Sequence, residues 1–215
     1  LGILSTGTGG DFIRSLDIPR DYRQACLRLA NPRKIKVDVG VVEYYSKGHL
    51  ARRLFLNAAG LGFDGEVVET VAKGPKLCRG TIPYVLGLFR SLVAYRNKDV
   101  RLQVGDDSED IRICSVVIAN GGFFGGGMHV APDADLHDGL FDIMVVGDIG
   151  KLELLRAFPR IYRGTHVTHP KVQIKRATQV TIQSSERVLV QADGELLGEV
   201  PATFRVLPSA LSVAV

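Results

Sequence analysis

Hydrophobic and polar positions alternate with a period of two over much of the chain. Residues 34–41 alternate in this way, as a half-buried strand does. Similar short apolar segments are separated by Gly and Asp-Gly turns, which favours an antiparallel sandwich over a parallel doubly wound sheet. The pattern predicts further strands at 53–59, 99–105, 110–120, 140–147, 171–176, 178–184, 187–192 and 202–206.

Helices are predicted between these strands, at 12–16, 22–30, 63–72, 82–95 and 151–162. Asp11 and Asp21 stand where the N-caps of the first two helices belong. Pro159 is expected to kink or end the last helix, because proline lacks the N–H that a helix interior uses.

The first part of the chain reads as strand, turn and helix, and the rest is rich in strands. We therefore predict a boundary near residues 31–34, between the tail of an α/β domain at 1–33 and a β-rich domain at 34–215. The predicted fold class is α+β, mainly an antiparallel β-sandwich with helices. No internal repeat is apparent.

Composition narrows the class of protein. The chain has 215 residues and 46% hydrophobic content, enough to bury a full core. Its three cysteines stand far apart, which supports neither a zinc site nor a disulfide framework. No apolar run approaches the ~20 residues of a membrane span, so we expect a soluble protein.

The net charge of +4 suggests an anionic partner. Nucleic acid is disfavoured, because the basic residues do not interleave with aromatic ones and no binding motif is present. An anionic membrane fits better, since a basic residue near an anionic leaflet gains ~1 kcal/mol; a solvated basic face is the alternative. The basic residues gather around two apolar helical segments: Lys73, Lys76, Arg79, Arg90, Arg96 and Lys98 around one, and Lys151, Arg156, Arg160 and Arg163 in the other.

An apolar strand at 188–192 leads into Asp193-Gly194-Glu195. Asp-Gly between alternating apolar residues predicts a hairpin with a type I′ turn. The same turn can hold a carboxylate at the edge of a cleft, where it could accept a proton from a substrate hydroxyl. Glu195 is expected to point the other way along the strand.

The glycine-rich turn Gly7-Thr8-Gly9 is a candidate anion site. It is not a P-loop, because Thr8 stands where lysine is required, and it lacks the third glycine of the dinucleotide fingerprint. A strand, a glycine turn and a helix N-terminus nevertheless present N–H groups that suit a phosphate. A generic turn between strand and helix is the alternative.

A second Asp-Gly pair, Asp138-Gly139, follows Asp135 and His137. A carboxylate with neighbouring main-chain carbonyl groups is the kind of oxygen-rich loop that binds a hard cation, and a plain hairpin is the alternative. His129 and His137 have no partner at the spacing of a metal site. No Gly-x-Ser-x-Gly motif is present, so a hydrolase is disfavoured.

Six blocks, at 1–12, 57–64, 119–128, 131–140, 188–196 and 201–211, occur in an order that resembles the diacylglycerol kinase and sphingosine kinase superfamily, most closely its small bacterial lipid kinases. The resemblance covers essentially the whole chain. The family usually has Asn where Gly10 stands and Pro where Ser5 stands. Its upstream Gly-Gly-Asp-Gly-Thr loop is not found here, so the chain is expected to be the C-terminal two thirds of such an enzyme, inactive by itself.

The resemblance implies an ATP-dependent kinase that phosphorylates a lipid hydroxyl such as that of diacylglycerol. The rivals are a kinase of sphingoid bases, ceramide or phosphatidylglycerol, and a non-catalytic lipid-binding module. It also implies a cytoplasmic protein, peripheral to the inner membrane face, that contacts lipid substrate and anionic membrane and could form a homodimer. The implied site residues are Asp193 as proton acceptor, Gly7, Thr8, Gly9 and Glu195 for the nucleotide, and Asp135, Asp138 and Leu140 for Mg²⁺, the first and last of these through main-chain oxygens.

Overall fold

The computed structural model describes residues 1–6, 10–73 and 91–215. Most of the helix predicted at 82–95 lies outside these residues, although 91–94 are helical. None of the described helices is long and apolar enough to cross a membrane. The helices are α1 (Asp11–Ser15), α2 (Tyr22–Ala30), α3 (Phe63–Lys73) and α4 (Lys151–Ile161), with a 3-10 turn at Thr165–Thr168.

Strands are the most common regular element of the described chain. They are β1 (Lys34–Ser46), β2 (His49–Phe55), β3 (Ala58–Gly62), β4 (Lys98–Val104), β5 (Asp107–Ile113), β6 (Ser115–Ala119), β7 (Phe123–Phe124), β8 (Met128–His129), β9 (Phe141–Val146), β10 (Val172–Ala177), β11 (Gln179–Gln183), β12 (Leu189–Ala192) and β13 (Glu195–Ala214).

Eleven of the described strands form one curled sheet in the order β10-β9-β6-β3-β12-β13-β11-β4-β5, and β1 joins it through β13 and carries β2 on its other side. Every pair of these strands is antiparallel. Strand β13 organises the sheet, since it pairs with β12, β11 and β1 in turn. The predicted fold class, a mainly antiparallel β structure with few helices, is confirmed.

Three phenylalanines form the centre of the core inside the curled sheet. Phe55 stacks on Phe141 with ring centroids 5.6 Å apart, and Phe204 meets Phe55 edge-on at 6.4 Å. All three are almost fully buried. Gly40 makes room for this cluster, because a Cβ there would lie 2.1 Å from the Phe55 ring.

The described parts of the N-terminal segment, residues 1–6 and 10–33, lie against the ends of β1 and β13. The Leu1 amino group donates to Ser212 O at 2.8 Å, and the Arg33 N–H donates to Val215 O at 3.0 Å. Ile13 of α1 packs in a buried cluster that includes Val213. The division into two domains near residues 31–34 stays a prediction.

The structure corrects several predicted boundaries. Asp21 does cap α2, accepting from Gln24 N at 3.0 Å, but α1 begins at Asp11 with Gly10 as its N-cap. Pro159 lies inside α4 and does not end it. The predicted strands at 53–59 and 110–120 are each broken in two, and the one at 202–206 is the middle of the 20-residue β13, whose two prolines lie where its pairing with β1 shifts register.

Candidate active site

A two-residue turn, Asp193-Gly194, joins β12 to β13. Both residues have positive φ, 47° for Asp193 and 82° for Gly194, and Ala192 pairs with Glu195 across the turn. This is the type I′ geometry that the sequence predicted, and it is confirmed. Aspartate tolerates the left-handed conformation better than most residues, because its short side chain can bond locally.

The Asp193 carboxylate closes the break between β2 and β3. Its Oδ2 accepts from Leu56 N at 2.8 Å, and its Oδ1 accepts from Asn57 N at 3.0 Å and Ala58 N at 3.1 Å. These N–H groups would otherwise need strand partners. Since a carboxylate offers about four lone-pair sites, about one remains for a substrate hydroxyl.

The turn borders a cleft of about 950 Å³. One wall is apolar and comes from α3, through Val68, Val71 and Ala72. Asp193 and Glu195 both line this cleft, because the sharp turn brings the start of β13 back beside Asp193. The cleft therefore combines two carboxylates with an apolar surface.

Glu195 is held more loosely than Asp193. Its Oε2 pairs with the Arg53 guanidinium at 2.5 Å, and both side chains are more than half exposed. Its Oε1 accepts no hydrogen bond from the described part of the chain. An exposed ion pair of this kind contributes about 0.2–1 kcal/mol to stability, so the side chain is free to reorient.

Two buried acceptor atoms on cleft residues lack a donor in the described part of the chain: Asp11 Oδ1 and Asn57 Oδ1. The same side chains hold the loop that follows β7, since Asp11 Oδ2 accepts from Gly126 N and Asn57 Nδ2 donates to Phe123 O, both at 2.7 Å. A buried acceptor left without a partner costs about 1–3 kcal/mol.

The loop at Asp135–Leu140 is not a hairpin, because the residues before it do not pair with β9. Two side chains shape it: Asp135 Oδ1 accepts from His137 N at 3.0 Å, and Asp138 Oδ1 accepts from Leu140 N at 2.9 Å. The remaining oxygen of Asp138 contacts the Arg176 guanidinium. The alternative of a plain hairpin is therefore wrong.

The donor chemistry of this loop suits a hard cation, but a protein cation already faces it. Arg176 contacts Asp138 and also lies 3.5 Å from Asp142, whose pKa is raised by burial and held down by this same guanidinium. The described residues contain no cluster of three or more His, Cys, Asp or Glu suited to a metal. A magnesium ion would have to displace Arg176 from Asp138.

Sequence reasoning missed Asp38, which ties this loop to β13. Asp38 is fully buried; its Oδ2 accepts from Gly139 N at 2.7 Å and its Oδ1 from Ser209 N at 2.6 Å. The signal was available, because a carboxylate within the otherwise apolar stretch 37–42 is expected to be buried, and a buried carboxylate needs hydrogen-bond donors.

Known proteins resemble this arrangement in sequence and in fold. Residues 57–215 match the family described as the YegS C-terminal NAD kinase beta sandwich-like domain. A diacylglycerol kinase from Mycobacterium tuberculosis H37Rv is 30% identical over 217 residues, which cover 99% of this chain and 68% of the relative. The chain belongs to the bacterial-type lipid kinase family.

This lipid-kinase chain spans part of its curated relatives. It is 29% identical to the diacylglycerol kinase of Bacillus subtilis over 207 residues, 95% of this chain but 65% of the relative. A crystal structure of a diacylglycerol kinase from Bacillus anthracis superposes with a TM-score of 0.66 at 19% identity, covering 96% of this chain and 63% of the other. That likeness establishes the shared fold.

One departure of this lipid-kinase chain from its family's pattern has a conformational explanation. Gly10 has φ 66° and ψ 25°, the left-handed region that glycine and asparagine adopt most readily. Either residue therefore suits the position. Gly7, Thr8 and Gly9 lie outside the described residues, and their part in nucleotide binding stays a prediction.

Proposed function

We propose that this chain carries the acceptor site of an ATP-dependent lipid kinase, with the hydroxyl of a diacylglycerol as the acceptor. The observation that carries the proposal is the cleft, which places Asp193 and Glu195 beside the apolar surface of α3. A lipid alcohol needs both features, an apolar surface for its chains and a carboxylate for its hydroxyl. The names of the curated relatives support this acceptor class.

The chain's contribution to the chemistry is to orient the hydroxyl and take its proton. When bound, ATP supplies the γ-phosphoryl group, which leaves the β–γ bridging oxygen as it bonds to the lipid oxygen. Asp193, fixed by three N–H groups, accepts the proton at its remaining lone-pair site. Glu195 is the second candidate, because its Oε1 is unoccupied by described residues and it lines the same cleft.

The nucleotide would lie at the N-terminal side of the cleft, on Gly7, Thr8 and Gly9. Positive charge is present there: a Cβ on Gly10 would lie 2.9 Å from the Arg20 guanidinium. Glu195, which lines the same cleft, would help to orient the nucleotide or its metal.

The test is phosphate transfer by the protein with its natural N-terminal sequence. Vesicles that contain diacylglycerol, ceramide, sphingosine or phosphatidylglycerol are supplied with ATP, and phosphorylated lipid is measured. Transfer to diacylglycerol well above the others supports the proposal. Preference for another of these lipids would change the proposed acceptor but keep the kinase function. Lipid binding without any transfer would favour the non-catalytic module.

Magnesium is proposed to bind at the Asp138 loop, through the Asp138 carboxylate and the main-chain oxygens of Asp135 and Leu140. We expect Mg²⁺ to raise the melting temperature of the protein, because a ligand that binds only the folded state stabilises it. Asp138→Ala should abolish this rise. Asp135→Asn should keep it, since the role of Asp135 is through its main chain and Asn preserves the hydrogen bond to His137 N. The control is thermal unfolding in NaCl at the same ionic strength. If Asp138→Ala responds to Mg²⁺ as the unsubstituted protein does, Asp138 is not a magnesium ligand and its role is the contact with Arg176.

Helix α4 supports the proposed contact with an anionic membrane. Its inner side, with Leu154, Phe158 and Ile161, packs on a buried cluster. Its outer side presents Leu152 and Leu155, 71% and 44% exposed. None of its flanking basic residues pairs with a carboxylate in the described part of the chain: Lys151, Arg156, Arg160 and Arg163. Apolar side chains beside basic ones that form no ion pair in the described part of the chain are typical of a helix that lies in a membrane interface.

Leu152→Ser/Leu155→Ser is expected to lower binding to vesicles of phosphatidylcholine and phosphatidylserine at least about tenfold, because burying each leucine contributes about 1.5–3 kcal/mol. Co-sedimentation measures the bound fraction. The matched control, Leu50→Ser/Leu54→Ser, removes two exposed leucines of β2 (65% and 56%) and should bind normally.

Light scattering measures whether the protein forms the proposed homodimer. If Leu152→Ser/Leu155→Ser becomes monomeric but binds vesicles normally, the outer side of α4 is the contact with a second copy of the chain.

A further inference from the structure

A buried side-chain pair next to the catalytic turn has no assigned role, and we infer that Asp64 is a positioning residue that acts through Gln191. Asp64 lies in the first turn of α3, and Gln191 lies in β12. Together they fix Gly194, and with it the turn from which Asp193 and Glu195 act. The inference rests on the proposed function, because it assigns the pair to the geometry of those carboxylates.

The hydrogen bonds form a continuous path from α3 to the turn. Ser115 Oγ donates to Asp64 Oδ1 at 2.9 Å, and Gln191 Nε2 donates to Asp64 Oδ2 at 2.9 Å. The Oε1 of the same Gln191 amide accepts from Gly194 N at 3.2 Å. Gln191 is fully buried, so no water competes for its amide.

The carboxylate sets the direction of this path. Burial raises the pKa of Asp64 to about 6, and hydrogen bonds from Gln191 and Ser115 limit the rise. At neutral pH the group is ionised and only accepts hydrogen bonds. Gln191 must therefore turn its Nε2 towards Asp64, which leaves Oε1 for the Gly194 N–H. The opposite orientation of the amide would set two acceptors against each other at Asp64 and two donors at Gly194.

Two glycines keep the pair in place. A Cβ on Gly60 would lie 1.9 Å from Asp64 Oδ2 and 3.0 Å from Gln191 Nε2, so the pair occupies the space beside that backbone. A Cβ on Gly65 would lie 2.7 Å from Leu189 O, which shows how closely α3 approaches β12. Gly60 and Gly65 therefore leave the space that Asp64 needs to reach Gln191.

The turn is consequently held from two sides. The N–H groups of residues 56–58 bind the Asp193 side chain, and the Gln191 amide binds the Gly194 main chain. With one attachment lost, the turn could pivot about the other. A displacement of about 1 Å at a reacting group can lower a rate about 10²-fold.

The test uses the protein with its natural N-terminal sequence at pH 8, well below the melting temperature of each variant. Gln191→Met and Gln191→Leu each remove the amide, so Asp64 loses a donor and Gly194 N loses its acceptor, and kcat should fall about tenfold or more with little change in KM. Asp64→Asn/Gln191→Glu should keep kcat near normal, because the Asn amide then donates to the new carboxylate, which accepts from Gly194 N. Asp64→Asn alone should stay near normal, since Asn can turn its amide to the Ser115 hydroxyl, which then donates to Leu61 O, 3.3 Å away.

Hydrogen exchange of the Gly194 amide separates this inference from the proposed function. Exchange should be faster in Gln191→Met and in Gln191→Leu, and normal in the double variant. If the protein transfers no phosphate to any of the lipids, the proposed function fails, while the Gly194 amide still reports on the pair. Unchanged kcat and unchanged Gly194 exchange in both Gln191 variants, or a loss confined to the melting temperature, would overturn the inference.

Discussion

Asp193→Asn is expected to lower kcat by about 10²-fold or more, because a general base contributes about that much to proton transfer. Asn keeps the size of the side chain and the left-handed conformation of the turn, but it cannot take the proton. Its amide also faces the Leu56 N–H, which Oδ2 of Asp193 now accepts. We therefore expect an additional loss of about 1 kcal/mol in the free energy of unfolding. Steady-state kinetics and urea unfolding measure the two effects separately.

Glu195→Gln is the matched comparison for this substitution. Gln keeps the contact with Arg53 in neutral form and leaves the three N–H groups on Asp193 undisturbed. If Asp193 is the base, Glu195→Gln should cost far less kcat than Asp193→Asn. A larger fall in Glu195→Gln, with near-normal turnover in Asp193→Asn, would transfer the proton-accepting role to Glu195 and leave Asp193 as an anchor of the turn.

Phe55→Ala is expected to lower the free energy of unfolding by about 3–5 kcal/mol, the usual cost of a large cavity in a core. The Phe55 ring stacks on Phe141 and meets Phe204, and it is 1% exposed. Neighbouring rings on strands are too constrained to fill the space it leaves. Urea unfolding with an unchanged m-value measures the loss.

Two further substitutions are controls for Phe55→Ala. Leu54→Ala, at the exposed neighbouring position, should change stability by less than about 0.5 kcal/mol. Phe204→Ala opens the same core but is remote in sequence from the break at 56–58, whereas Phe55 directly precedes it. We expect kcat of the folded enzyme to fall in Phe55→Ala and to be kept in Phe204→Ala. Equal losses of kcat would mean that the core does not position the break.

Parts of the fold could be predicted because their causes are local in the chain. The turn at Asp193-Gly194 follows from two adjacent residues that tolerate positive φ, and the cap of α2 follows from Asp21 and the residues that come after it. Alternation of apolar residues is likewise a property of each strand, so the antiparallel class was predictable. The length of β13 was not, because it depends on partners as distant as Lys34, which pairs with Ala214.

In the candidate site, too, the features with local causes could be predicted, and those that depend on distant residues could not. Asp193 could be predicted because two adjacent residues specify its turn. Its three N–H partners lie some 135 positions earlier in the chain, and Asp64 lies 127 positions from Gln191; no periodicity or spacing relates residues so far apart. By itself the sequence determined the alternation, the turn and the resemblance to lipid kinases. Only the tertiary structure decided that Glu195 shares the cleft, that Arg176 faces Asp138, and that Asp193 closes a strand break, because hydrogen bonds and charge pairs between distant segments exist only after the sheet has curled and brought them within about 3 Å.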